Sequence, residues 1–146
     1  MKLSLVVPCY NEADNVALFQ QAVISAFDGC GYDYEIVFID DGSRDATLHN
    51  LKKLYAAQEC PVKVVSFSRN FGKEAAIFAG LAQARGDCTL VMDCDLQHPP
   101  EKAVEMYRLW QQGYQVVEGV KVTRGKESPL HTLAVRCFYR AMSGST

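Results

Sequence analysis

Asp93 and Asp95 stand one residue apart at the end of the apolar run Cys88–Met92. In extended chain, residues i and i+2 point to the same side, so two carboxylates at this spacing can hold one hard cation. Mg²⁺ and Mn²⁺ favour oxygen ligands, and Mg²⁺ takes one or two carboxylates while completing its shell with water and substrate phosphates. A departing diphosphate needs such an ion to balance its charge. Gln97 could add a neutral oxygen, whereas His98 reads as a loop histidine. A bare Asp-x-Asp is common, however, and the same pair would equally serve as a solvated acidic turn.

Three further polar clusters follow apolar runs: Pro8-Cys9-Tyr10-Asn11-Glu12, Asp40-Asp41-Gly42-Ser43 and Ser68-Arg69-Asn70-Phe71-Gly72-Lys73. One aspartate of the second cluster could accept hydrogen bonds from a base or ribose. The cluster could also be a turn and helix cap, the part expected of Ser43 and Asp45. Glu12 either favours the first turn of a helix through its dipole or reaches a nucleoside. Arg69 either contacts base or phosphate or pairs with an acid. The third cluster lacks the GxxxxGK[ST] spacing of a phosphate loop. No GxGxxG follows the first run, which argues against a standard dinucleotide fold. Each cluster alone is ordinary, but four at one edge of a sheet make a candidate active site.

Such an edge requires strands that end together. Leu3–Pro8, Glu35–Asp40, Val62–Phe67, Cys88–Asp93 and Gln115–Val122 are short apolar runs and predict five strands. Between them, Val16, Phe19, Val23, Ala26 and Phe27 recur at helical spacing over Ala13–Phe27, with Gly29 and Gly31 beyond. Leu48, Leu51, Leu54 and Tyr55 define a second helical face, broken by Pro61. Lys73–Arg85 predicts a helix rich in small residues (Ala75, Ala76, Ala79, Gly80, Ala82), able to lie close to a sheet and stopped by Gly86. Pro99 and Pro100 open a helix running to about Gln112, with Gly113 as its stop. Leu130, Leu133, Ala134, Cys137 and Ala141 define a last amphipathic helix. Alternating strands and helices imply an α/β fold with a mostly parallel sheet covered on both faces. Ligands bind beyond the carboxyl ends of such strands.

The bulk properties agree with one globular domain over residues 1–146. Of these residues 49% are hydrophobic and 22% charged, with a net charge of −2. Without a basic excess, nothing suggests a nucleic-acid partner. The six cysteines form no CxxC pair and read as reduced thiols of a cytosolic protein. No apolar stretch approaches the ~20 residues of a membrane span. The run from Met1 to Val7 is too short for a signal peptide.

Val7-Pro8-Cys9-Tyr10-Asn11-Glu12, Asp40-Asp41-Gly42-Ser43 with Asp45 and Thr47, Arg69-Asn70-Phe71-Gly72-Lys73, Gly86-Asp87, and Asp93-Cys94-Asp95-Leu96-Gln97 with Pro100 occur in this order. Together they resemble family-2 glycosyltransferases of the GT-A fold, a Rossmann-like three-layer α/β/α arrangement. More narrowly, the chain is similar to the branch of dolichol-phosphate mannosyltransferases and bacterial bactoprenol glucosyltransferases. Ser66–Glu74 with Phe78-Ala79-Gly80-Leu81 is especially like the latter. The likeness covers nearly the whole chain, and the ordered set is far more specific than any single motif.

The resemblance implies an inverting, metal-dependent transfer of a sugar, with UDP-glucose favoured, from a nucleoside diphosphate to a polyprenyl phosphate. Pro8, Tyr10 and Glu12 would line the nucleoside pocket, and Ile39 and Asp41 would pack on and bind base and ribose. Asp93 and Asp95, with Gln97, would ligate Mg²⁺ or Mn²⁺ against the diphosphate, beside a tolerated Cys94. Relatives often carry Gly-x-Arg near Gly119–Arg124; here Lys121 stands where arginine is usual, and Arg124 follows. Relatives also continue past this region into acceptor-binding and membrane-adjacent segments, so the chain is expected to be the donor half of a longer protein. The fragment would be cytoplasmic and its parent would work at the cytoplasmic face of the inner membrane. An uncovered last helix could drive self-association into a homo-oligomer. A non-catalytic nucleotide-sugar-binding module, and a transferase acting on a saccharide hydroxyl, are the competing readings.

Overall fold

The computed structural model describes residues 1–120. Lys121, Arg124, Cys137, the end of the fifth predicted strand and the last predicted helix lie outside that range. The elements are β1 (Lys2–Cys9), α1 (Val16–Phe27), β2 (Asp33–Asp40), α2 (Thr47–Ala57), β3 (Val62–Ser66), α3 (Lys73–Gln83), β4 (Cys88–Val91) and α4 (Pro100–Gln111). The strands form one parallel sheet in the order β3-β2-β1-β4. Strand order reverses at β1, which opens a crevice between the carboxyl ends of β1 and β4.

Side-chain alternation along the strands separates two cores. Leu3, Leu5, Val7 and Cys9 of β1 and Ile36 and Phe38 of β2 pack under α1, α2 and α4 through Phe19, Val23, Leu51, Ala103 and Tyr107. On the other face Val6, Val37 and Ile39 meet Ala76 of α3. The small residues of α3 do what their sizes suggest. A Cβ on Gly80 would stand 2.4 Å from Val6 Cγ1 and 2.7 Å from Ile39 Cδ1, so only a bare Cα lets the helix lie this close. The result is the three-layer α/β/α arrangement expected.

Several boundaries differ from expectation. Residues 115–120 form no strand, and Val116 and Val120 are 86% and 77% exposed. A β-branched run becomes a strand only where it finds a partner edge, and here it leaves the sheet unpaired. Residues 13–15 form a turn, with the Asn15 and Val16 N–H groups donating to Glu12 O, so α1 starts at Val16. The second helix ends not at Pro61 but at Gln58, whose φ of 53° is left-handed; Tyr55 is exposed. Gly86 does not stop α3, which ends at an extended Ala84. Instead Gly86 lets the chain pass β1, where a Cβ would lie 2.6 Å from Lys2 O.

That passage belongs to a polar cluster at the amino edge of the sheet, centred on buried Glu35. Its Oε1 accepts from Ser4 Oγ and from the Arg85 N–H, both at 2.8 Å. Its Oε2 meets Lys2 Nζ at 3.3 Å and Lys63 Nζ at 3.0 Å. Burial alone would raise the carboxyl, but the hydrogen bonds from Arg85, Ser4, Lys63 and Lys2 outweigh it and bring the pKa down to about 2.

Candidate active site

At the carboxyl edge the four loops are laced together before any ligand is considered. Asn11 holds a φ of 54°, a left-handed conformation that asparagine tolerates better than most residues. Its N–H donates to Ser43 Oγ at 3.0 Å, and its Oδ1 accepts from the Arg44 N–H at 2.9 Å. The Glu12 N–H donates to Thr47 Oγ1 at 2.8 Å. Asp45 Oδ2 accepts from the Ala13 N–H at 3.2 Å, and its Oδ1 from the Thr47 N–H at 2.9 Å. The Thr47 hydroxyl holds the Asp45 carboxyl below its ordinary range. The expected cap role divides: the residue flanking α2, Ala46, offers no side-chain cap, but Asp45 satisfies the N–H of Thr47, the first residue of α2, while the Ser43 hydroxyl serves the loop after β1 instead.

The two aspartates after β2 divide their work. Asp40 is buried and structural, accepting from the Ser43 N–H at 3.2 Å and Ser66 Oγ at 3.1 Å. Asp41 accepts from the Phe71 N–H at 2.7 Å and the Gly72 N–H at 3.0 Å, so it fixes the loop after β3. Between them the same loop crosses Gly42, which has a φ of +66° and whose Cβ would lie 2.2 Å from the Arg69 carbonyl carbon. No other residue type fits there.

After β4, the Met92 N–H still donates to Val6 O at 3.0 Å, but pairing then ends. Asp93 and Asp95 are thus not on extended chain as their spacing suggested. A turn carries them, with Leu96 at a φ of 59° and the Gln97 N–H donating to Asp95 Oδ1 at 3.1 Å. The turn nonetheless brings both carboxylates to one cleft.

That cleft has a volume of about 430 Å³ and is lined by Pro8, Cys9, Tyr10, Glu12, Asp41, Asn70, Gly72, Lys73, Ala76, Asp93, Cys94 and Asp95. It lies over the β1/β4 crevice. Cys9 and Cys94 are its buried floor; the Cys9 thiol donates to Val7 O at 3.5 Å, and the neighbouring Cys94 sulfur, then burial, push it far above its usual range. Lys73 Nζ sits 2.5 Å from Asp93 Oδ1, both side chains being substantially exposed at 60% and 44%.

Of the residues singled out in the sequence, Pro8, Tyr10, Glu12, Asp41, Asp93, Cys94 and Asp95 come together here. Three do not. Ile39 is corrected from a base-packing residue to a core residue, wholly buried with Val6 and Val37 under α3. Among the described residues Arg69 neither pairs with an acid nor lines the cleft; its guanidinium lies 4.5 Å over the Phe71 ring. Gln97 is exposed and outside the lining. Sequence reasoning missed Asn70, Gly72 and Lys73 as lining residues. Their segment counts among the four clusters of the ligand edge, but Arg69 is the residue it singles out, while the usable signal is a Gly-Lys pair opening a helix of small residues.

The carboxylates also fit a divalent ion by donor chemistry. Both offer hard oxygens to the cleft. Among the described residues no group of three or more His, Cys, Asp or Glu side chains is placed to hold a metal. A two-carboxylate site leaves coordination positions for phosphate oxygens.

Comparison with known proteins accords with this geometry. The family profile described as Glycosyl transferase family 2 matches residues 4–142. The prophage bactoprenol glucosyl transferase homolog of Escherichia coli K12 is 40% identical over 140 residues, covering 96% of this chain and 45% of that protein. The uncharacterized glycosyltransferase YkcC of Bacillus subtilis is 38% identical over 146 residues, again 45% of its length. The chain thus spans less than half of these curated relatives. Among solved structures, the mannosyltransferase PcManGT of Pyrobaculum calidifontis, in complex with GDP-Man and Mn²⁺, superposes with a TM-score of 0.56 at 25% identity, over 64% of this chain and 27% of its own. Staphylococcus aureus TarS 1-349 with UDP gives 0.65 at 23% identity over 88% and 39%, a likeness of fold.

Proposed function

The chain belongs to glycosyl transferase family 2, and on that premise we propose that it is the donor-binding half of an inverting transferase moving glucose from UDP-glucose to a polyprenyl phosphate. The observation that carries this reading is the convergence of four loops on one cleft with two carboxylates beside a hollow of nucleoside size. The name of the E. coli relative supports a lipid-phosphate acceptor and glucose, and the mannosyltransferase complex supports Mn²⁺ or Mg²⁺.

Asp93 and Asp95 would hold the ion, which when bound balances charge on the departing diphosphate. Pro8 and Tyr10 offer apolar surface to the base. Glu12 and Asp41 offer carboxylate oxygens to base and ribose; Asp41 keeps free lone pairs after taking two backbone N–H groups. Attack comes from the side opposite the diphosphate, which inverts the anomeric carbon. A phosphate monoester has its second pKa near ~6, so this nucleophile is already anionic at neutral pH and requires no general base from the chain.

No helix among the described residues is long and apolar enough to cross a membrane. We place membrane contact, and work at the cytoplasmic face of the inner membrane, in the remaining length seen in the relatives. Calorimetric titration of UDP-glucose and GDP-mannose, with Mn²⁺ and then with EDTA, tests the reading. Metal-dependent binding of UDP-glucose is expected. A folded chain that binds neither donor, together with a full-length protein that transfers no sugar, overturns it. Donor binding without transfer by the full-length protein would instead favour a binding module.

A further inference from the structure

We propose that Lys73 is a ligand for the donor's diphosphate, held on Asp93 until the donor arrives; the inference rests on the nucleotide-sugar reading above and deepens it. Lys73 Nζ is 2.5 Å from Asp93 Oδ1, and both residues line the cleft. The backbone beneath the lysine is fixed. Asp41 clamps the Phe71 and Gly72 N–H groups, and α3, of which Lys73 is the first residue, is pinned to the sheet at Ala76 and Gly80. The side chain itself is 60% exposed and held by that one ion pair. Exposed ion pairs contribute little and exchange readily.

The same carboxylate is assigned to the metal. Mg²⁺ takes carboxylate oxygens at ~2.0–2.1 Å. An ammonium hydrogen-bonded to that oxygen would repel it across a few ångströms. The two cations therefore compete for Asp93, and a diphosphate arriving with the ion gives the ammonium a new anionic partner within the same cleft. Lysine suits this exchange as a compact, rotatable point charge. No covalent bond forms or breaks; one ion pair replaces another.

Competition and ligation leave opposite signatures in one variant. In Lys73→Met of the 146-residue chain, Mn²⁺ affinity without nucleotide, read by electron paramagnetic resonance, should rise about 3- to 10-fold as the rival cation is lost. UDP affinity, read by calorimetry with saturating Mn²⁺ and again in EDTA, should fall about 10-fold, the equivalent of one charge-assisted hydrogen bond. Lys73→Arg should restore most of the UDP affinity. A purely structural lysine would instead lower Mn²⁺ and UDP affinity together with the melting temperature. That result overturns the proposal, as does unchanged UDP affinity in Lys73→Met. If wild-type UDP binding proves independent of metal yet still falls in Lys73→Met, the metal assignment fails and the lysine assignment stands. If the wild type binds no UDP at all, both fall.

Discussion

The two edges of the sheet each gather polar residues around a carboxylate, and they differ in how many partners that carboxylate has. At the amino edge Glu35 is buried with four donors on its two oxygens. At the carboxyl edge Asp93 is half-exposed with one exposed ammonium, and Asp95 is exposed with one backbone N–H of its own turn. A carboxylate whose lone pairs are filled by the protein holds the protein together. One whose lone pairs are left over is available to something else. Asp40 and Asp41 repeat the contrast between adjacent residues. Asp40 is committed to Ser43 and Ser66 inside the fold, whereas Asp41 binds a loop and also faces the cleft.

The contrast can be broken or sharpened by substitution, beginning at the saturated edge. Glu35→Gln should destabilise the fold at neutral pH by about 3 kcal/mol, the equivalent of a carboxyl lowered from 4.5 to about 2. Denaturant unfolding measures it, and donor affinity of the remaining folded protein should not change. The pH dependence has a definite sign. Because the folded-state pKa is depressed, this stability is complete above about pH 4.5 and is lost as the pH falls through about 2. Wild type and Glu35→Gln should therefore converge in acid; parallel curves would mean that Glu35 is not the group responsible. Asp93→Asn should do the reverse, leaving the melting temperature nearly unchanged while Mn²⁺-dependent UDP-glucose binding falls at least about 100-fold, the upper range for losing even an outer-shell partner of a metal ligand. If it unfolds the protein instead, the distinction between the edges collapses. Gly42→Ala should cost about 1–3 kcal/mol of stability from overpacking and weaken UDP binding as well, since its new methyl group would displace the loop that Asp41 clamps. A variant that loses stability but keeps its affinity would show that the loop tolerates the shift.

Much of this was legible in the residues. Short apolar runs gave four of the strands, and the polar clusters after them marked the ligand edge. The small side chains of Lys73–Gln83 announced a helix lying close to the sheet. What could not be read depends on contacts between distant segments. Whether Asp40 or Asp41 faces the cleft turns on the pleat at the last residue of β2. The base-packing role that the resemblance implies for Ile39 could not be weighed without seeing α3 cover it. Val116 and Val120 had the composition of a strand but pair with neither edge of the sheet. Lys73 gains its meaning only when β4 delivers Asp93 beside it.

The lacing of the loops has a consequence for when the site exists. Asn11 with Ser43, Glu12 with Thr47, and Asp41 with Phe71 are bonds between residues 32, 35 and 30 positions apart. No single loop holds half of the cleft, and closing such separations is slow compared with forming a helix or a hairpin. The nucleotide therefore has nothing to bind until the sheet is complete. It should act after the folding barrier, slowing unfolding and raising stability by mass action while leaving the rate of folding unchanged.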